Sequence, residues 1–235
     1  MESTHLTKLM TGLIAVLVLD FKGDFGDIPN LLGRDRWLYL DPANGFRLPW
    51  NPPYKCRDYN GWINNLIKVI CANCDLKFSE GVLAAVFRIA FNLLNNPITT
   101  PVNFPSPLLI EQLLDYLPRW MITTKGIYLE SALHKIRFIR RVGENLFEAE
   151  RGFDIFEHLI KAQKCAVINC PGLNPILRNL IVNIISLQFN FTSISLNETS
   201  SQTKFVLVVD EGDELASKEV SAKYPEGYSE YARGF

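Results

Sequence analysis

The chain has 235 residues, 48% of them hydrophobic, with a formal net charge of −1 and a pI near 6.3. This length and composition predict a folded protein with one large domain, or one domain with a sizeable insertion. The near-neutral charge excludes a bulk attraction to nucleic acid, so any DNA contact would need a local basic patch.

Three features of the sequence bear on the compartment. The longest apolar run, Leu13 to Leu19, is shorter than the roughly 18 residues that a membrane-spanning helix needs. Met1 to His5 shows no basic region followed by an apolar core, so no secretory signal is predicted. The five cysteines are an odd number, and reduced, buried thiols are expected in and beside the apolar run at residues 165–170. These features predict a cytoplasmic protein.

The first elements alternate between helix and strand. A helix is predicted at residues 3–10, where apolar residues recur at helical spacing behind a Ser/Thr cap. Strands are predicted at residues 13–19 and 37–40, and they end at Asp20 and Asp41 respectively. A turn is expected directly after Asp20.

The middle of the chain changes character. Residues 44–53 are rich in breaker residues and cannot form regular structure. From residue 56 to residue 152, apolar residues recur at helical spacing and no strand pattern appears. We therefore predict an all-helical insertion at 55–150 that divides an α/β core into residues 1–54 and 151–235.

The α/β pattern returns in the last third of the chain. A strand is predicted at residues 165–169, a helix from Asn174-Pro175 onward, and a final strand at residues 204–209. Alternating strands and helices predict a mostly parallel sheet flanked by helices and joined by right-handed crossovers.

The final predicted strand runs directly into two carboxylates, Asp210 and Glu211. An uninterrupted apolar run suits a strand that is buried on both faces, and in open parallel sheets ligands bind outside the carboxyl ends of strands. Placing two adjacent carboxylates there costs free energy unless they bind a cation or take part in proton transfer. The pattern looks like the Walker B segment of P-loop ATPases. A solvated acidic turn is the alternative.

The order of motifs along the chain is more specific than any one of them. Val16–Phe25, Leu40–Pro42, the helical insertion, Ala166–Leu173 and Val208–Glu211 together resemble the HerA/FtsK superfamily of hexameric P-loop motors. They look closest to the TraG/TraD-type coupling ATPases of conjugation and type IV secretion. The resemblance covers nearly the whole chain. It implies a RecA-like P-loop NTPase core, ATP and Mg²⁺ as cofactors, a homo-oligomeric ring, and ATP hydrolysis that drives transport of DNA or another substrate.

The resemblance also implies roles for five residues. Asp210 would hold Mg²⁺, and Glu211 would position or deprotonate the attacking water. Asp20 and Lys22 would lie near the nucleotide. Ser3 would match the hydroxyl that binds Mg²⁺, although a plain helix N-cap explains Ser3 equally well.

The sequence departs from this family at both ends. The phosphate-binding string Gly-x-x-x-x-Gly-Lys-Ser/Thr does not occur in the 235 residues. Family members also continue beyond a region like Ala232-Arg233-Gly234. A chain truncated at both ends is therefore expected. A non-catalytic relic or interaction subunit that keeps the fold is the alternative, and a dinucleotide-binding enzyme with Asp20 on the ribose is disfavoured because Gly-x-Gly-x-x-Gly is missing.

A predicted helix at residues 134–141 concentrates basic side chains, with Arg137, Arg140 and Arg141 on one side. Such residues could make sequence-independent contacts with DNA phosphates, and a solvated helix face is the alternative.

Cys71 and Cys74 have the spacing of a metal-binding pair, but Cys56 is the one further cysteine in that part of the chain and no second pair follows. Metal binding is therefore disfavoured for this pair. The four tryptophans are interpreted as packing residues.

Overall fold

A computed structural model describes residues 14–48, 50–53, 56–76, 79–96, 103–116, 124–142, 146–148, 153–197 and 204–210. The strands are β1 (Ile14–Asp20), β2 (Trp37–Leu40), β3 (Cys165–Asn169) and β4 (Lys204–Val209). The helices are α1 (Ile28–Leu32), α2 (Tyr59–Cys74), α3 (Glu80–Leu94), α4 (Pro107–Tyr116), α5 (Thr124–Val142) and α6 (Pro175–Asn197). A short 3₁₀ helix spans Pro42–Asn44, and a π-helical turn spans Phe156–Ile160.

The four strands form one sheet in the order β2-β3-β1-β4, and every neighbouring pair is parallel. Leu17 in the central strand β1 lies opposite Ala166 on one side and Leu207 on the other. The predicted parallel α/β sheet is confirmed. Because all strands run the same way, their carboxyl ends meet at one edge of the sheet.

Alternate residues of β1 supply two different cores. Leu17 and Leu19, both fully buried, belong to the large core that the sheet shares with helices α2 to α6. Val18 points the other way, into a small cluster with Trp37 and Val167 that α1 helps to cover. Side chains on a strand alternate between faces, so apolar residues are needed at every position of a strand covered on both sides.

The predicted helical stretch consists of α2 to α5, and the described residues between 56 and 148 contain no strand. These helices share one continuous core with the sheet, since Trp62 of α2 is fully buried and its ring packs edge-on against Phe191 of α6 at 5.2 Å. The helices are thus part of the main globule. The limits of an insertion at 55–150 stay a prediction.

Helix α1 replaces part of the simple turn expected between β1 and β2. It follows a turn at Asp27, whose carbonyl accepts the backbone N–H groups of Asn30 and Leu31. Pro29 suits the first turn of this helix, because an N–H group at that position would find no partner inside the helix. Gly33, at a φ of 100°, ends the helix after five residues.

Three tryptophans pack in the interior, as predicted for this residue type. Trp37, Trp50 and Trp62 are 7%, 1% and 0% exposed, while Trp120 lies outside the described residues. The indole of Trp50 donates to the carbonyl of Pro105 at 2.7 Å, and that of Trp62 donates to the carbonyl of Trp50 at 3.1 Å. These bonds tie the breaker-rich segment to the helices that follow it.

None of the helices in the described ranges is long and apolar enough to cross a membrane.

Candidate functional site

Two of the predicted site residues, Asp20 and Asp210, lie close together at the carboxyl edge of the sheet. Asp20 ends β1 and lies opposite Asn169, the last residue of β3. The backbone N–H of Asp210, directly after β4, donates to the carbonyl of Leu19 at 3.0 Å, and that of Cys170 donates to the carbonyl of Asp20 at 2.8 Å. Three neighbouring strands thus deliver Asn169, Asp20 and Asp210 side by side. Glu211 and Ser3, the predicted catalytic base and hydroxyl ligand, lie outside the described residues.

The carboxylate of Asp20 is fully buried and bonded to the loop that follows it. Its Oδ1 accepts the backbone N–H groups of Gly23 at 2.7 Å and Asp24 at 3.2 Å, and its Oδ2 accepts that of Phe25 at 3.0 Å. Hydrogen bonds to an ionised acceptor are stronger than neutral ones, so these three offset much of the cost of burying the carboxylate. Gly23 adopts a φ of 90° here, which a side chain would strain.

Asp210 occupies a different environment from Asp20. Its side chain is partly exposed, and its Oδ2 accepts the backbone N–H of Lys22 at 3.2 Å. The Lys22 side chain is exposed. The loop after β1 therefore holds the carboxylate that follows β4, while that carboxylate still reaches solvent.

The two aspartates differ in how well their carboxylates suit a metal ion as ligands. Mg²⁺ keeps several waters and is usually bound through one or two carboxylates together with substrate phosphates. The partly exposed carboxylate of Asp210 fits that chemistry, whereas the buried carboxylate of Asp20 is occupied by three backbone donors. A direct contact of Asp20 with a nucleotide stays a prediction.

Further polar residues lie at the carboxyl ends of β2 and β3. The pKa of Tyr39 is raised, chiefly by partial burial and then by the charges of Asp41 and Asp20, while hydrogen bonding with the Asn169 side chain opposes the rise. Burial also raises the pKa of the neighbouring Cys170 thiol to about 12. Tyr39 and Asn169 are not among the candidates predicted from sequence. Their position at or near the carboxyl ends of apolar strands is the signal that could indicate them.

The predicted basic face of α5 is largely neutralised by α4. The guanidinium of Arg137 lies 2.8 Å from Glu111 and 3.3 Å from Asp115. The guanidinium of Arg140 lies 2.7 Å from the other oxygen of Glu111. Of the three predicted phosphate-binding arginines, two therefore face carboxylates of the neighbouring helix, and Arg141 is exposed.

Cys165 and Cys170 match the expectation of buried, reduced thiols at residues 165–170. All five are free and buried. Burial raises the pKa of Cys71 to about 12 and that of Cys74 to about 11, which disfavours the thiolate form that binds metals. Over the described ranges, no three His, Cys, Asp or Glu side chains come together in a way that could hold an ion.

Comparison with known proteins identifies a similar fold but no family. No protein-family model and no curated protein matches the sequence. Among solved structures, the chain is similar to VirB4 of Thermoanaerobacter pseudethanolicus, with a TM-score of 0.56 and 12% sequence identity over 99% of this chain and 88% of that one. At such low identity the similarity shows the fold alone. The chain thus has an α/β fold similar to that VirB4 structure, with a parallel sheet consistent with a RecA-like core.

Proposed function

We propose that the chain is the ATPase-type module of a type IV secretion or conjugative-transfer motor, in which ATP hydrolysis drives the transport of DNA or another substrate. Fold similarity over almost the entire chain to VirB4, a type IV secretion ATPase, supports this proposal. The order of sequence motifs supports the finer assignment to the HerA/FtsK superfamily and its TraG/TraD-type coupling proteins. A homo-oligomeric ring is part of the same proposal.

The observation that carries the proposal is the geometry of Asp210. Its carboxylate stands at the carboxyl edge of a parallel sheet, where α/β proteins bind ligands. Its backbone is fixed by the bond to Leu19, and its side chain is fixed by the bond from Lys22. A partly exposed acid held in this way can orient the water shell of a cation without rearranging.

Phosphoryl transfer asks little of a protein beyond positioning and charge neutralisation. Mg²⁺, when bound with ATP, would neutralise charge on the phosphate oxygens. Asp210 would orient that ion through water, and Glu211 would accept a proton from the attacking water. Ser3 is the proposed hydroxyl ligand, and the exposed Lys22 is proposed to lie near the nucleotide.

The test is Mg²⁺-dependent ATP binding and hydrolysis by the full chain. Asp210→Asn should weaken Mg²⁺-dependent ATP binding about tenfold or more, because the remaining amide oxygen is a poorer ligand for a hard cation. Asp24→Asn is the matched control, since it removes the same charge from an exposed position in the loop after β1, at the same edge of the sheet. Glu211→Gln should retain binding and lose hydrolysis. Equal binding by the Asp210 and Asp24 variants would refute the assignment.

The second candidate is a non-catalytic subunit that keeps this fold. It is favoured by the lack of Gly-x-x-x-x-Gly-Lys-Ser/Thr in the 235 residues, because the backbone of that loop cradles the phosphates. The same titration separates the two candidates. A folded chain that binds no ATP with or without Mg²⁺ would support the non-catalytic subunit, and Mg²⁺-dependent binding abolished by Asp210→Asn would exclude it.

A further inference from the structure

The buried carboxylate of Asp20 has no part in the mechanism above, although it is among the most completely buried polar groups of the sheet. We propose that Asp20 is a positioning residue for Asp210. By bonding the backbone of residues 23–25, Asp20 fixes the loop that presents the Lys22 N–H to the Asp210 carboxylate. The predicted effect of Asp20 on metal binding rests on the proposed function, whereas its positioning of Asp210 does not.

The first step of the argument is the strength of the attachment at Asp20. Three donors from successive residues converge on one carboxylate, two on Oδ1 and one on Oδ2. The side chain is 0% exposed, so water does not compete for these bonds. A charged acceptor that is shielded from water makes strong hydrogen bonds and is costly to leave unpaired. The loop at residues 23–25 is therefore held close to the end of β1.

The second step is that Lys22 is fixed from both directions. On its N-terminal side, Phe21 is 2% exposed, and the guanidinium of Arg178 lies over its ring at 5.5 Å. On its C-terminal side, the N–H of Gly23 is bonded to Asp20 at 2.7 Å. With both neighbours held, the direction of the Lys22 N–H is set by the loop, although the Lys22 side chain is exposed.

The third step connects the loop to Asp210. The Lys22 N–H reaches Asp210 Oδ2 at 3.2 Å, and the Asp210 backbone is attached to β1 through Leu19. Asp20 thus acts on Asp210 through one backbone amide. Partners of this outer kind typically change metal affinity by about 10- to 100-fold when they are removed.

Amide hydrogen exchange measured by NMR tests the coupling directly. In Asp20→Ala, the Lys22 amide should exchange about tenfold faster relative to the amide of Val18 in the central strand. Normalising to Val18 removes the effect of global destabilisation, which would accelerate both amides. Asp24→Ala, in the same loop and with an exposed side chain, should leave this ratio unchanged. In Asp210→Ala, the Lys22 amide should exchange faster while that of Phe25 stays protected.

Asp20→Asn is a second variant for the case that Asp20→Ala does not fold. Its remaining oxygen can still accept the N–H groups of Gly23 and Asp24, while its new amide cannot accept that of Phe25. Its effect on Lys22 exchange should therefore be intermediate. An unchanged ratio of Lys22 to Val18 exchange in both Asp20 variants would overturn the proposal, as would an unchanged Lys22 rate in Asp210→Ala.

Mn²⁺ binding in the presence of ATP, followed by electron paramagnetic resonance, tests the consequence for the site. Asp20→Ala should bind Mn²⁺ about tenfold more weakly than Asp24→Ala. Equal affinities would overturn the positioning role. If the unsubstituted chain binds no Mn²⁺, the proposed ATPase function fails, and the exchange ratios still decide whether Asp20 positions Asp210.

Discussion

The backbone N–H of Lys22 donates a 3.2 Å hydrogen bond to Oδ2 of Asp210, which lies 188 positions further along the chain. This bond joins the loop after β1 to the residue after β4, so the two ends of the described chain build the candidate site together. The site therefore depends on the pairing of β1 with β4 as much as on its own side chains.

The central position of β1 predicts a large loss of stability for Leu17→Ala. Leu17 is fully buried between β3 and β4, so the substitution should lower the free energy of unfolding by about 2–5 kcal/mol. Val208→Ala is the control, because Val208 is 38% exposed on β4. This substitution should lower the free energy of unfolding by less than about 1 kcal/mol. Urea denaturation measures both values. A Leu17 variant as stable as the Val208 variant would contradict the central placement of β1.

The neutralised face of α5 predicts an effect on DNA binding. Glu111→Gln removes the negative charge that Arg137 and Arg140 share, so both guanidinium groups become more available to phosphates, although Arg137 keeps Asp115 as a partner. Non-specific DNA affinity should rise and depend more steeply on salt, by roughly 0.9 in log–log slope for each phosphate gained.

The control for this experiment is Glu130→Gln, which makes the same change in net charge at an exposed position of α5, the helix that carries the arginines. Fluorescence anisotropy with a labelled duplex at several salt concentrations compares the two variants. Equal increases in affinity would show that only net charge matters, and no increase in either would exclude this face of α5 as a DNA interface.

Glu148 predicts a pH dependence of stability. Burial raises its pKa above the ordinary value of 4.5, while the Leu108 N–H, 3.3 Å from its Oε2, and Arg140 oppose that rise. The folded chain then binds the proton more tightly than the unfolded chain. The contribution of Glu148 to stability is complete below pH 4.5 and is lost as the pH rises through the folded pKa.

Because glutamine does not titrate, the stability of the unsubstituted chain relative to Glu148→Gln should fall as the pH rises above 4.5. Chemical denaturation at each pH provides the values. A relative stability of Glu148→Gln that stays constant with pH would contradict the prediction.

The buried thiols predict slow chemical modification. All five cysteines are buried, and burial raises the pKa of Cys56 to about 11 and that of Cys170 to about 12. At about pH 8, a disulfide reagent should therefore react slowly with the native chain. Once urea unfolds the chain, the reagent should react rapidly with all five thiols. Absorbance of the released thiolate follows the reaction. Rapid reaction of any cysteine in the native chain would show that its segment opens locally.

The strands could be predicted from sequence because each is a short apolar run that ends at a polar residue. β3 has the predicted bounds, from Cys165 to Asn169, since its burial is continuous and a Cys-Pro-Gly turn follows. Helix α1 could not be predicted in the same way. It has only five residues, and its sequence, with Pro29 near the start, is equally typical of a turn.

The surroundings of charged side chains were harder to predict, because they depend on residues far apart in sequence. Arg137 and Glu111 are separated by 26 positions, and no periodicity within α5 indicates that its arginines face α4. The bonds of Asp20 are local, and the glycine at position 23 is a sequence signal for the turn they stabilise. The distance between the loop after β1 and Asp210 could not be predicted, because it depends on the pairing of β1 with β4.

The sheet order also has a consequence for biosynthesis. The two neighbours of β1 are β3 and β4, which are translated only after all of the helices α1 to α5. At about 5–20 residues per second, the apolar β1 would wait roughly 7 to 30 seconds on the ribosome before its first partner emerges. During that interval its unpaired edges are a target for aggregation, so nascent chains of this protein are expected to need chaperone protection more than their modest length suggests.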